Sequence, residues 1–169
     1  MKKLFIVNGA SGVGKTTAVK NVRKNNPEGI EFLFFDKIGV PSTEEMNEKF
    51  GGPEEWQRQA TQTWIKKIKD EVLKSKDAVL DGQIRPEFID EACKKENITN
   101  YEVILFDCSD GERTKRLIDR GQGNLANEGM MNWAKYLIKE SILRKYTIVD
   151  NTDFTQEQSA NALRKILGI

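Results

Sequence analysis

Histidine is absent from the chain. That excludes every histidine-based catalytic triad, an imidazole general base and histidine metal sites, and it leaves proton transfer to carboxylates, Lys, Tyr or Cys. Cysteine is scarce: Cys93 and Cys108 are too few for a disulfide scaffold and read as free thiols of a reducing cytosol. Neither charge is in excess. The 27 Lys and Arg face 26 Asp and Glu, a net charge of +1, so no basic surplus marks a nucleic-acid or polyanion binder. Long apolar runs are missing too: the longest is about four residues, against the roughly 20 a membrane span needs. Leu4 to Val7 is too short for the core of a signal peptide. These absences predict a cytoplasmic protein with no nucleic-acid or membrane partner.

What is present is a 169-residue chain, 38% hydrophobic and 31% charged. That is the composition of a soluble globular protein, and at roughly 150 residues per domain it predicts a single domain over 1–169. Five short apolar runs punctuate it: Leu4–Val7, Phe32–Phe35, Ala78–Leu80, Val103–Phe106 and Thr147–Val149. None alternates polar with apolar, so each is expected to be buried on both faces, as in a parallel sheet covered by helices. Helical patterns lie between the runs. Thr16 to Lys24 follows the first run, and Glu112 to Asp119 follows the fourth. Glu54 to Lys74 precedes the third, with Trp56, Ala60, Trp64, Ile68 and Val72 spaced along one face. Met130 to Lys145 precedes the fifth, with Met130, Ala134, Leu137, Ile138 and Ile142 on one stripe. Ser42 with Glu45 and Thr155 with Gln158 read as capping boxes, Gly51-Gly52-Pro53 as a stop and a start, and Gly168 as a helix end.

Strands alternating with helices give an α/β class with right-handed crossovers. Two stretches are irregular, Lys37 to Pro53 and Gly121 to Gly129. The second is rich in glycine and is expected to be mobile. Ligands of such sheets bind beyond the carboxyl ends of the strands, which singles out Asn8 to Thr16, Asp36, Asp81 to Arg85, Asp107 to Ser109 and Asp150 to Thr152.

Gly9-Ala10-Ser11-Gly12-Val13-Gly14-Lys15-Thr16 fits G-x-x-x-x-G-K-[ST]. The glycines let the backbone wrap with its N–H groups toward phosphate oxygens, and the following helix adds the positive end of its dipole. Lys15 can reach the β- and γ-phosphates, and the Thr16 hydroxyl can ligate Mg²⁺. Chance supplies this pattern in roughly 0.5% of random chains of this length, and here it sits between a strand and a helix. An N-K-x-D guanine motif is absent, which argues against a GTP switch. The length argues against an AAA+ module with a helical lid domain. The remaining reading is an enzyme that moves a phosphoryl group to a small acceptor.

From the first strand and its loop onward, the sequence resembles the small-molecule and nucleoside monophosphate kinases of the P-loop superfamily, such as adenylate and shikimate kinases. Asp81-Gly82-Gln83-Ile84-Arg85 is similar to the D-G-x-P-R of adenylate kinases, with Ile84 in the place of proline. Val103 to Arg120 looks like their fourth strand and the R-L-x-x-R helix that leads into the lid, and Thr147 to Gln158 like the fifth strand and last helix. The resemblance implies a three-layer P-loop NTPase fold with a five-stranded parallel sheet of order 2-3-1-4-5 and helices on both faces. It implies ATP with Mg²⁺ as donor, an acceptor segment over about 37–75, and a short lid over about 121–129. The sequence departs from the family in lacking the shikimate kinase D-x-D, since Lys37 and Ile38 follow Asp36, and it shows no adenylate-kinase AMP pattern.

On this reading Gly9, Ser11, Gly12, Val13, Gly14, Lys15, Thr16 and Thr17 hold the nucleotide phosphates. The family implies stacking on adenine for Arg116 and phosphate contact for Arg120, whereas Arg113 reads as surface. Asp36 stands where acceptor hydroxyls bind in several kinases of this fold, and without histidine a carboxylate is the natural proton acceptor. Catalysis is therefore expected from Lys15, Asp36 and Arg120. Asp81 is the metal carboxylate beside Thr16, and Asp107 is its rival. Arg85, a helix-start residue beside Pro86, offers a planar fork to an acceptor anion, Gln83 a hydrogen bond, and Trp56 a stacking face, while Trp64 and Trp133 read as core. The predicted activity is transfer of the ATP γ-phosphoryl group to a nucleoside- or nucleotide-like acceptor. A shikimate- or gluconate-type or antibiotic phosphotransferase, and a non-catalytic ATP sensor, are the alternatives.

Overall fold

Five parallel strands carry the fold in this computed structural model, which describes residues 2–25 and 28–169. They are β1 (Leu4–Asn8), β2 (Ile30–Phe34), β3 (Asp77–Asp81), β4 (Tyr101–Asp107) and β5 (Thr147–Asp150), ordered β2-β3-β1-β4-β5. The helices are α1 (Lys15–Lys24), α2 (Thr43–Phe50), α3 (Pro53–Lys67), α4 (Pro86–Lys95), α5 (Asp110–Asp119), α6 (Glu128–Leu143) and α7 (Gln156–Leu167). Successive side chains of a strand point to opposite faces, and two cores follow from that. Leu4, Ile6, Ala78, Leu80 and Val103 pack against Ala60, Trp64 and Ile65 of α3 and Phe88, Ile89 and Ala92 of α4. Phe5, Val7, Val79, Ile104 and Phe106 pack against Ala18, Val19 and Val22 of α1 and Ala160 and Leu163 of α7. A smaller cluster joins Leu105 to Ala134 and Leu137 of α6. The result is the expected three-layer sandwich in the expected strand order.

Burial on both faces holds for the central strands, and β1 is buried along its whole length. It fails at the edges: β2 is half-buried at three positions, and β5 alternates half-buried with exposed residues. An edge strand has one neighbour, and the helices cover the middle of the sheet. Ile142 likewise leaves the expected stripe of α6 and is 62% exposed. The helix expected over 54–74 is interrupted. After α3 the chain makes one π-helical turn, Ile68–Val72, closed by Leu73 N–H to the Ile68 carbonyl at 3.0 Å, and Ile68 stays fully buried. α4, whose start alone was marked by Arg85-Pro86, opens with proline at its first position, where no N–H is needed.

The caps mostly behave as read. Thr155 and Gln158 form both halves of a capping box. Ser42 accepts from Glu45 N–H at 3.2 Å, but the Glu45 carboxylate turns to Lys49 instead of closing the box. The segment 121–129 holds a 3₁₀ turn at Gly123–Leu125, and Asn127 then caps α6 by accepting from Met130 N–H at 3.0 Å.

Candidate active site

The parallel register brings the ends of β3 and β1 level, pairing Val7 with Asp81, and the loop after β1 runs across this edge. Two of its glycines are sterically required. A Cβ on Gly9 would lie 2.6 Å from the Phe106 carbonyl, and one on Gly12 2.9 Å from Leu117 Cγ at a φ of 85°. The loop is thus pressed onto β4 and α5. Asn8, fully buried, anchors its start: Oδ1 accepts from Gly9 N–H (3.0 Å) and Ile84 N–H (2.9 Å), and Nδ2 donates to the Ile84 carbonyl (2.8 Å). Asn151 anchors its end, with Nδ2 donating to the Val13 carbonyl at 2.8 Å. The sequence reading assigned neither asparagine a role. Both follow directly on apolar runs or their last carboxylate, and that position was the available signal.

Lys15 is buried at the first position of α1. Burial pushes its ammonium below the ordinary lysine range, Asp81 and Asp36 pull it back up, and Arg120 and Arg113 push it further down. A small cleft of about 170 Å³ gathers Ser11, Gly12, Gly14, Lys15, Thr16, Thr17, Asp36, Gln83 and Arg120. Beside it, a cavity of about 530 Å³ is lined by Gly12, Val13, Gly14, Thr17, Arg116, Arg120, Asn151 and Phe154. Phe154, exposed at 38%, is an aromatic face at this cavity that the sequence reading did not single out.

The two carboxylates considered for metal separate cleanly. Thr16 Oγ1 donates to Asp81 Oδ2 at 2.6 Å, while Asp81 Oδ1 is buried without a partner. Burial pushes the Asp81 carboxyl above the usual range, against the pull of Lys15 and the Thr16 hydrogen bond. Asp107 instead accepts from Arg113 Nη2 at 2.7 Å. This corrects the reading of Arg113 as a surface residue: its side chain is 0% exposed, and it also donates to the carbonyls of Ser11 (3.2 Å) and Cys108 (3.1 Å). A charged residue in a polar stretch gives no sequence sign of burial; only the P-loop crossing over α5 creates it. Arg116 is braced by Glu112 (2.7 Å) and donates to the carbonyls of Val13 and Asn151. Arg120, at the end of α5, is exposed and reaches both cavities.

The expected acceptor residues divide into two groups. Asp36 lies on a 3₁₀ turn (Phe35–Ile38) after β2, exposed, and lines the cleft with Lys15. Gln83 joins it, but its amide is engaged, with Nε2 on Ser11 Oγ at 2.9 Å and Oε1 accepting from Trp133 Nε1 at 3.0 Å. Arg85 does not line this cleft. It pairs with Glu54 at 3.3 Å, its N–H donates to Gln57, and its guanidinium lies over the Trp133 ring. Trp56 does not line it either, being set edge-on to Phe35 with ring centroids 6.2 Å apart. Trp64 is core as expected, and its Nε1 donates to the Phe35 carbonyl at 2.9 Å. Trp133 is half-buried and stacked on Tyr136 rather than core. The wall beyond Asp36 is basic instead. A cavity of about 470 Å³ is lined by Lys15, Thr16, Lys20, Arg23, Phe34, Phe35, Asp36, Lys37, Asp81, Gly82 and Gln83. Lys20 and Arg23 share the helix face of Thr16, and the sequence reading missed this cluster.

A glycine-rich loop between β1 and α1, in a parallel sheet of order 2-3-1-4-5, defines a P-loop NTPase fold. Residues 6–130 match the family described as an AAA domain, and the chain belongs to that family. The length was read above as against an AAA+ module with a helical lid domain; the matched span runs from β1 into the start of α6. A comparison with curated proteins finds no match. Among solved structures, the chain is similar to the shikimate kinase of Acinetobacter baumannii in complex with shikimate, at 19% identity over 99% of this chain and 94% of that one, with a TM-score of 0.63. It is similar to a sugar kinase from Janibacter sp. (16% identity, 100% and 96% covered, TM-score 0.58). It is also similar to the tunicamycin resistance protein of Deinococcus radiodurans (14%, 100% and 97%, TM-score 0.65). At these identities the likeness is one of fold. No helix among the described residues is long and apolar enough to cross a membrane.

Proposed function

We propose that the protein is an ATP-dependent phosphotransferase that delivers the γ-phosphoryl group to a hydroxyl of a small acceptor carrying an anionic group, as a nucleotide does. The observation that carries this reading is the meeting of Lys15, Asp36 and Arg120 in one cleft with the P-loop. A passive nucleotide binder needs neither the carboxylate nor the second cation there. Kinase neighbours of the same fold, among them a shikimate kinase and a sugar kinase, support it.

Phosphoryl transfer asks chiefly for positioning and neutralisation of charge. The P-loop holds the phosphate tail, and the cavity between Arg116 and Phe154 takes the base. Lys15 and Arg120 face the charge spread over the equatorial oxygens of the transferring group. Asp36 accepts the proton of the acceptor hydroxyl as the new O–P bond forms and the bond to ADP breaks. Thr16 Oγ1 and the unpartnered, buried Asp81 Oδ1 suit Mg²⁺, held directly or through water. Held there, Mg²⁺ would supply positive charge that offsets the phosphate oxygens. Lys20, Arg23 and Lys37, none of which has an ion pair among the described residues, present positive charge to an acceptor anion on the far side of Asp36. They take the place that Arg85, tied to Glu54 and Gln57, leaves.

Coupled detection of ADP tests the reading, using nucleosides against their monophosphates and polyols against hydroxy acids. The expected result is turnover with anionic acceptors. Lys20→Ala with Arg23→Ala should raise KM about tenfold while kcat stays near wild type, as loss of charge-assisted contacts predicts. Failure of every acceptor to raise ADP above background, with the residue unchanged in Lys15→Ala, ends the kinase reading.

A further inference from the structure

Among the described residues, Arg113 is the largest side chain with no exposed surface. As a stability device it is poor. Its one counter-ion, Asp107, is 24% exposed, and its Nε has no partner. A buried ion pair of this kind commonly adds no net stability over apolar residues of the same volume. Its position against the P-loop supplies another reason for it. The guanidinium donates to the Ser11 carbonyl at 3.2 Å, and its Cγ lies 3.0 Å from where a Gly12 Cβ would be. In a trans peptide the carbonyl and the following N–H point in opposite directions. Holding the Ser11 oxygen therefore fixes the direction of the Gly12 N–H. Arg116 does the same for the next but one peptide, through the Val13 carbonyl at 3.2 Å. The charge is felt on the far side of the loop, since Arg113 is among the groups that push the Lys15 ammonium down.

We propose that Arg113 is a positioning residue of the phosphate site: it orients the Ser11–Gly12 peptide so that the N–H faces bound phosphate, and it places a fixed positive charge behind that peptide. Asp107 then serves to hold the guanidinium, at the cost of part of that field. The proposal rests on the nucleotide reading above, and it makes an asymmetric prediction. Breaking the pair from either end should lower the melting temperature if the pair is structural. Phosphate affinity should respond with opposite signs.

Inorganic tripolyphosphate without metal, titrated calorimetrically into the full chain, is the probe. Arg113→Met is expected to weaken it about tenfold or more, the scale of a lost hydrogen bond from a charged donor. Asp107→Asn keeps an oxygen for Arg113 Nη2 but removes the negative charge. It is expected to bind about twofold or more tightly than wild type. Equal or weaker binding by Asp107→Asn, or an Arg113→Met within about twofold of wild type, overturns the proposal alone. Should Arg113→Met fail to fold, the Asp107→Asn result decides by itself. Wild-type protein that binds no tripolyphosphate overturns the nucleotide reading and this proposal together.

Discussion

Lys15, proposed above to face the transferring phosphoryl group, is buried where its charge is disfavoured. Burial disfavours its charge more than Asp81 and Asp36 restore it, so its folded-state pKa lies below the ordinary 10.5. For a cation with a lowered pKa the folded state is penalised wherever the unfolded chain is charged and the folded one must be too. That penalty is full below the lowered value and fades as pH rises from it toward 10.5. Lys15→Met is therefore expected to raise the melting temperature of the ligand-free protein at pH 7, by an amount that shrinks in alkaline buffer, while phosphoryl transfer is lost. Thermal melts across pH check it, and a lower melting temperature at pH 7 contradicts it. Asp36 is the complementary case, an exposed carboxylate with little structural duty. Asp36→Asn is expected to lower kcat by about 10²–10⁴, the range of general-base catalysis, with ATP affinity within about twofold and the melting temperature unchanged. Unaltered turnover removes Asp36 as the base. Motif spacing made Lys15 and Thr16 legible, and Asp36 was marked only by its place at the end of an apolar run. Arg113 was not, because the spacing of a charged residue does not reveal what will be laid over it.

At the scale of elements, the 3₁₀ turn that carries Asp36 depends on a helix distant in sequence. Trp64 on α3 donates from Nε1 to the Phe35 carbonyl at 2.9 Å, directly before Asp36, and is itself nearly buried. Trp64→Phe retains an aromatic ring but removes that hydrogen bond, leaving the Phe35 carbonyl with only its bond inside the 3₁₀ turn. The expected cost is about 0.5–1.5 kcal/mol of stability in urea unfolding, together with a fall in kcat and little change in ATP affinity. A loss of stability with kcat intact would mean that the turn keeps Asp36 in place without it. The regular spacing of Trp56, Ala60, Trp64 and Ile68 was enough to predict the helix and its buried face. It could not reveal the π-helical turn at Ile68–Val72, which depends on how the end of the helix meets the sheet. Nor could it tell that Trp56 packs edge-on to Phe35 while residues of α1 line the cavity beyond Asp36.

For the whole molecule, the sheet divides stability unevenly between its centre and its edge. Ile104 on β4 is fully buried, whereas Ile148 on β5 is 36% exposed. Ile104→Ala is expected to cost about 2–5 kcal/mol and Ile148→Ala about 1.5 kcal/mol or less, as its side chain is already partly in water. Equal costs in denaturant unfolding would refute this layering. The sequence by itself determined the class of the fold, the phosphate loop and the carboxylates at the strand ends. Those are set by local chemistry: apolar runs that must be buried, glycines a few residues apart, and a lysine and threonine at fixed offsets from them. Only the tertiary structure decided that Asp81 keeps one carboxylate oxygen unpartnered while Asp107 is paired, which arginine is buried, and which residues line the wall beyond Asp36. Asp81 and Asp107 end similar apolar runs, and Arg85, Arg113 and Arg23 look alike in the chain. Three of them meet a partner far away in sequence: Thr16 for Asp81, the Ser11 carbonyl for Arg113 and Glu54 for Arg85. Which of these partners come within hydrogen-bonding distance is settled by the order and register of the strands.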